Sequence, residues 1–157
     1  MNYYRLIGSI VLCQAAGIIG GIFTAQSVRT WYAELAKPVF SPPNWVFGPV
    51  WITLYLMMGV ALYLVWQRTG SIKGAPLPFS VFFLQLLLNA LWSFVFFGLR
   101  SPFWGFIEIT VLWASIVTTI WLFRKASVPA ALLLVPYLLW VSFAAVLNFS
   151  IWRLNPS

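Results

Sequence analysis

The run PFSVFFLQLLLNALWSFVFFGLRSPFWGFIEITVLWASIVTTIWLF, residues 78–123, decides the class of fold. It holds two charged side chains, Arg100 and Glu108, and one short interruption at Arg100, Ser101 and Pro102. Crossing the hydrocarbon core as helix takes about 20 apolar residues. The run therefore reads as two spans, about 78–99 and 103–123, joined so tightly that they must be antiparallel neighbours. The apolar residues are continuous rather than alternating, which favours helices over a β-barrel.

Working outward, three more runs of the same kind appear at about 6–26, 47–67 and 129–152, with the charges falling almost wholly between them. The expectation is an all-α integral membrane protein. It is a five-transmembrane-helix bundle forming a single membrane domain over 1–157, with a structured aromatic and Pro-rich loop between the first two spans. The whole chain agrees: 62% of its 157 residues are apolar and 7% charged, where a soluble domain carries about a quarter charged. Arg5 ahead of the first run gives a signal-peptide flavour. That run is longer than a signal core of about 7–15 residues, and Phe23 and Ala25 make a poor cleavage site, so it reads as a retained span.

Absences exclude chemistry. There is no His and no Asp, and Glu34 and Glu108 are the only carboxylate side chains. Ser-His-Asp and Cys-His catalysis, His-ligated metal or haem and a clustered carboxylate metal site all fall away. No metal site and no required cofactor is expected. Cys13 stands alone, so no internal disulfide is available. The net charge of +7 comes from nine dispersed Lys/Arg; nucleic-acid binding needs a clustered basic face, and dispersed cations beside apolar runs suit anionic headgroups. The lipid bilayer is the expected partner, and nucleic acid is not. An odd number of spans places Arg5, Arg68, Lys73, Arg124 and Lys125 at one end, and Arg29, Lys37, Arg100 and Arg153 at the other. That split is too even to set orientation by the positive-inside rule.

Segment 27–46 contains Trp31, Tyr32, Phe40, Trp45 and three prolines, Pro38, Pro42 and Pro43. A flexible linker is polar and rich in Gly and Ser. This one reads either as a lid on the mouth of the bundle or as an aromatic belt at the headgroups. Inside the spans, aromatic and amide residues share helical faces: Trp51 with Tyr55; Gln85, Asn89 and Trp92; Trp140, Ala144, Leu147 and Asn148. Buried amides in lipid should face the bundle interior. There they either bond helix to helix or edge a cavity for a flat apolar ligand. Glu108 is the one acid inside a span, Pro136 should kink the fifth span near Leu132, and Gly17 and Gly21 stand in small-xxx-small spacing for close helix packing or a dimer seam.

These residues resemble the tryptophan-rich sensory protein/translocator protein (TspO/MBR) family, also known as the peripheral benzodiazepine receptor family. The resemblance rests on Trp31-Tyr32, Leu35, Lys37-Pro38 and Pro42-Pro43 in the loop, then Phe47, Pro49, Val50-Trp51 and Leu54-Tyr55. It continues through Gln85-Leu86, Asn89, Leu91-Trp92-Ser93 and Phe96-Phe97, and Pro136-Tyr137, Trp140, Phe143-Ala144 and Leu147-Asn148. It implies a five-helix, commonly dimeric protein that binds porphyrins such as protoporphyrin IX and haem, sterols or benzodiazepine-type ligands beneath the first loop. Residence in the cell membrane of a bacterium or the mitochondrial outer membrane of a eukaryote is also implied. Carried over by residue, Trp51 and Trp140 lead the site, followed by Tyr32, Tyr55, Asn89, Trp92, Phe143, Ala144 and Leu147. The sterol pattern near the C-terminus is broken, with Phe149 where the family's animal members have Tyr, so porphyrin is the better ligand. The leading expectation is a porphyrin-binding receptor or transporter with a sensory role in tetrapyrrole or stress metabolism, and the likeness implies a homodimer. The alternatives are light- and oxygen-dependent porphyrin degradation, with Trp51 and Trp140 as the candidate reacting groups, and a small-solute transporter or regulatory scaffold.

Overall fold

The computed structural model describes residues 2–156. Among these described residues, five helices are long and apolar enough to cross a membrane, and their starts and stops follow from the sequence. Helix α1, Tyr3–Ser27, opens on Asn2, whose side chain accepts from the Arg5 amide at 3.2 Å. The one-turn helix α2, Trp31–Glu34, lies in the first loop. Helix α3, Asn44–Thr69, is stopped by Gly70 at φ 74°, whose amide returns to the Trp66 carbonyl. Helix α4, Pro76–Ser93, runs on into a π-helical turn, Phe94–Gly98. Arg100, at φ 54°, then reverses the chain, and Ser101 caps α5, Pro102–Ala126, with proline in its first turn.

The last span, Val128–Leu154, is divided. Helix α6, Val128–Leu133, and helix α7, Val135–Leu154, meet at Leu134. Pro136 has no N–H to give the Leu132 carbonyl, and the Leu134 amide turns back to Ala131 at 3.1 Å. The expected kink is present, centred at Leu134 rather than Leu132.

The spans close into a ring. Helix α1 packs on α3 and α4, α4 on α5, α5 on α6 and α7, and α6 on α3. Helix α1 shows what lipid does to the usual pattern. Its buried face is Ser9, Cys13, Gly20 and Ser27, while Ile7, Val11, Ile18 and Ile22 point outward and are more than half exposed. Lipid tails are as apolar as Leu, so close packing rather than water exclusion selects the inner face, and small residues win it. A Cβ on Gly17 would lie 2.5 Å from the Tyr55 ring, and one on Gly59 2.6 Å from the Ile10 Cα. Gly17 is thus consumed by packing within the chain, whereas Gly21 has open space before it.

Candidate functional site

The polar groups of the middle of the bundle form one chain of hydrogen bonds. Tyr55 of α3 donates to Asn89 of α4. Asn89 donates to the Tyr137 hydroxyl of α7 at 2.8 Å, and Tyr137 donates to Gln85 at 2.9 Å. All four residues are buried. Each partner satisfies the next, so three spans are tied together without an orphaned amide or phenol in the chain. Tyr137 is absent from the residues chosen on sequence, although it lies three before Trp140 on the same helical face. Asn148 is likewise occupied: it accepts from the Trp92 indole at 3.1 Å and donates to the Pro102 carbonyl at 2.7 Å. The amides therefore act between helices, which is the first of the two roles open to them on sequence.

Above this layer, toward the first loop, lie the aromatic rings. Trp51 packs on Tyr55 and edge-on to Tyr137, with centroids 5.7 and 6.3 Å apart. Phe47 meets Trp140 at 6.0 Å, Trp140 meets Phe143 at 5.5 Å, and Phe40 of the loop closes on Phe143 at 6.2 Å. Trp51, Phe47, Trp140 and Phe143 are only partly buried. The indole nitrogen of Trp140 is buried and has no hydrogen-bond partner among the described residues. An unpartnered indole N–H amid apolar rings is a free donor in a place where leaving it unmade costs about 1–3 kcal/mol.

The loop is anchored beside these rings. Tyr32 is buried against Phe96 and Phe97, and Trp31 packs on Phe96 at 5.6 Å. Trp92 stacks on Phe96, and Leu147 and Ile151 complete the cluster. The π-helical turn presents Phe96 and Phe97 to the loop, and the Ser27 hydroxyl holds the Phe97 carbonyl at 2.8 Å. Asn155 clasps the loop from the C-terminal end: Ala36 donates to its Oδ1 at 3.0 Å, and its Nδ2 donates to the Ala36 carbonyl at 2.9 Å. Lys37 sits 4.7 Å from the centre of the Tyr32 ring. Burial pushes the Tyr32 phenol above its ordinary range.

The structure thus brings Trp51, Tyr55, Asn89, Trp140, Phe143 and Ala144 into one region and Trp31, Tyr32, Trp92 and Leu147 into the adjoining one. The rings of Phe47 and Phe143 bridge them. Phe47, Phe96 and Phe97 belong to the family resemblance but not to the site residues chosen on sequence, where Phe is too abundant, with 14 copies, to single out. Phe96 carried a signal nonetheless, four residues after Trp92. Trp113, deep in α5, stands apart and donates to Ser142 at 2.8 Å. Trp45, Trp104 and Trp121 are exposed near span ends, as interfacial anchors are.

A ring of five spans, with a cluster of aromatic rings under an anchored loop, defines a polytopic integral membrane protein. The sequence profile of the TspO/MBR family matches residues 9–153, and the chain belongs to that family. It is 46% identical over 156 residues to the tryptophan-rich protein TspO of Archaeoglobus fulgidus, covering 99% of each chain. It is 39% identical over 138 residues to the translocator protein of Homo sapiens, covering 87% of this chain and 82% of the relative. With the tryptophan-rich sensory protein of Cereibacter sphaeroides it shares 35% over 155 residues, 99% and 94% of the two chains.

Proposed function

We propose that this protein binds a porphyrin, metal-free or iron-bound, between α3 and α7 beneath the first loop, and that it serves as a membrane receptor or transporter for it. The observation that carries the reading is the half-buried set Trp51, Phe47, Trp140 and Phe143, with the unpartnered Trp140 N–H among them. A flat macrocycle offers π faces to such rings and nitrogen or carboxylate acceptors to the indole. The chain has no His to ligate iron, so affinity comes from stacking and apolar burial. Admission parts Phe40 from Phe143 and moves the loop between Lys37 and Pro43, whose three prolines keep the ordering cost low.

Quenching of tryptophan fluorescence by protoporphyrin IX in detergent tests the proposal. Saturable quenching is expected, at least tenfold weaker in the Trp51→Ala/Trp140→Ala variant. Trp140→Phe keeps a ring and removes the donor. It should weaken binding about 2- to 10-fold, the worth of one hydrogen bond. Non-saturable quenching, or equal quenching in the double variant, overturns the site.

A further inference from the structure

At the opposite end of the bundle, a cavity of about 170 Å³ opens between α1, α3 and the start of α4. Gly8, Ser9 and Leu12 line it from α1, Leu62 and Trp66 from α3, and Ile72, Phe79 and Phe83 from the turn and α4. Its size is close to that of the roughly 150 Å³ apolar cavity that accepts benzene, so it holds a short run of methylenes. Leu12, Ile72 and Phe83 are 44, 38 and 36% exposed. The cavity therefore opens sideways, between helices, to the bilayer.

Two features point to an occupant. Ser9 is 1% exposed and its hydroxyl has no partner among the described residues. Many span hydroxyls bond back to the carbonyl four residues earlier, as Thr24, Thr53, Thr69 and Thr110 do, while Ser115 of α5, which does not line this cavity, is also unpartnered. Ser9 does not, and it lines the cavity wall. At the rim, the Arg5 guanidinium lies 5.0 Å from the centre of the Trp66 ring and donates to the Gly70 carbonyl at 3.1 Å. That uses one of its five N–H donors among the described residues. The same end of the bundle carries Arg68, Lys73, Arg124 and Lys125, while both acids, Glu34 and Glu108, belong to the other half.

We propose that this groove is a binding site for one anionic phospholipid. An acyl chain fills the cavity, the Ser9 hydroxyl donates to an ester carbonyl at the top of that chain, and Arg5 holds the phosphate. The site is separate from the porphyrin site and does not depend on it.

Native mass spectrometry of the delipidated protein, titrated with phosphatidylglycerol or phosphatidylcholine of equal chain length, tests this. One phosphatidylglycerol should be retained at least fivefold more strongly than phosphatidylcholine. Arg5→Gln, a change at the rim, should bring that ratio close to one. Gly8 lines the cavity and a Cβ there meets nothing within 4 Å, so the backbone has room for Gly8→Leu; the larger side chain is expected to occupy the groove and cut retention of both lipids about tenfold. Equal retention of the two lipids by the wild type overturns the proposal, as does unchanged retention in Gly8→Leu. Displacement of the bound phosphatidylglycerol by inorganic phosphate alone also overturns it, by showing an anion site without a chain. So does a Gly8→Leu effect confined to oligomeric state, which would make the groove a contact between copies.

Discussion

Gly59 and Gly17 set the spacing of α1 and α3, and neither can gain a methyl group freely. The atom facing Gly59 is Ile10 backbone, which cannot rotate away, and the ring facing Gly17 is held by the Tyr55 hydroxyl bond to Asn89. Gly59→Ala is expected to destabilise the bundle by about 1–3 kcal/mol, the usual cost of overpacking. Gly21→Ala, with open space at its Cβ, should leave stability unchanged. Thermal melting in detergent compares the two. Tyr32 makes a second prediction. Burial raises its folded-state pKa, so the neutral phenol contributes loop stability that is complete below the ordinary tyrosine value near about 10. That contribution is lost as pH climbs through the raised folded value. A spin label on exposed Val39→Cys should become mobile in strongly alkaline buffer, and the added Tyr32→Phe change should remove that response. At this scale the sequence was informative about residue type and less so about partner. Gln85, Asn89 and Asn148 had to face inward, but nothing in the chain says that tyrosine hydroxyls, a tryptophan and a proline carbonyl would take up their bonds.

Among the elements, the spans were legible because continuous apolar runs and their charged or proline-marked ends obey simple rules of length and capping. The π-helical turn at Phe94–Gly98 was not, since FVFFG satisfies the helical pattern equally well. Only the tertiary demand to face Phe96 and Phe97 toward the loop, with Ser27 holding the Phe97 carbonyl, distinguishes it. The loop itself was legible as stiff and aromatic, while its clasp was hidden. Asn155 and Ala36 are 119 residues apart and neither belongs to a motif. Asn155→Ala removes two hydrogen bonds to the loop backbone and leaves the packing of Tyr32 in place. Hydrogen exchange of residues 36–43 should rise by several fold in that variant, with exchange in the spans unaffected. Unaltered exchange would place the loop's stability wholly in Trp31 and Tyr32.

For the molecule as a whole, the two ends differ in character. One end holds the aromatic rings and the clasped loop; the other holds basic side chains and no acid; the Tyr55–Asn89–Tyr137–Gln85 chain lies within the bundle and fixes three spans against one another. On the proposed reading, a porphyrin at the loop end would rest between this hydrogen-bonded layer and the loop, and loop and ligand would then stabilise each other by the same free energy. Saturating protoporphyrin IX should slow exchange across residues 27–46, and Trp31→Ala/Tyr32→Ala should weaken its binding while the spans stay folded. The same architecture orders the ligands. An iron–imidazole bond would favour haem strongly, but the sequence contains no imidazole, and in the proposed site Trp51, Phe47, Trp140 and Phe143 would address the macrocycle face whatever its centre. Metal-free protoporphyrin IX should bind within a few fold of haem, or better. A preference for haem of a hundredfold or more would require a ligand to iron from another side chain and would shift the site away from these four rings.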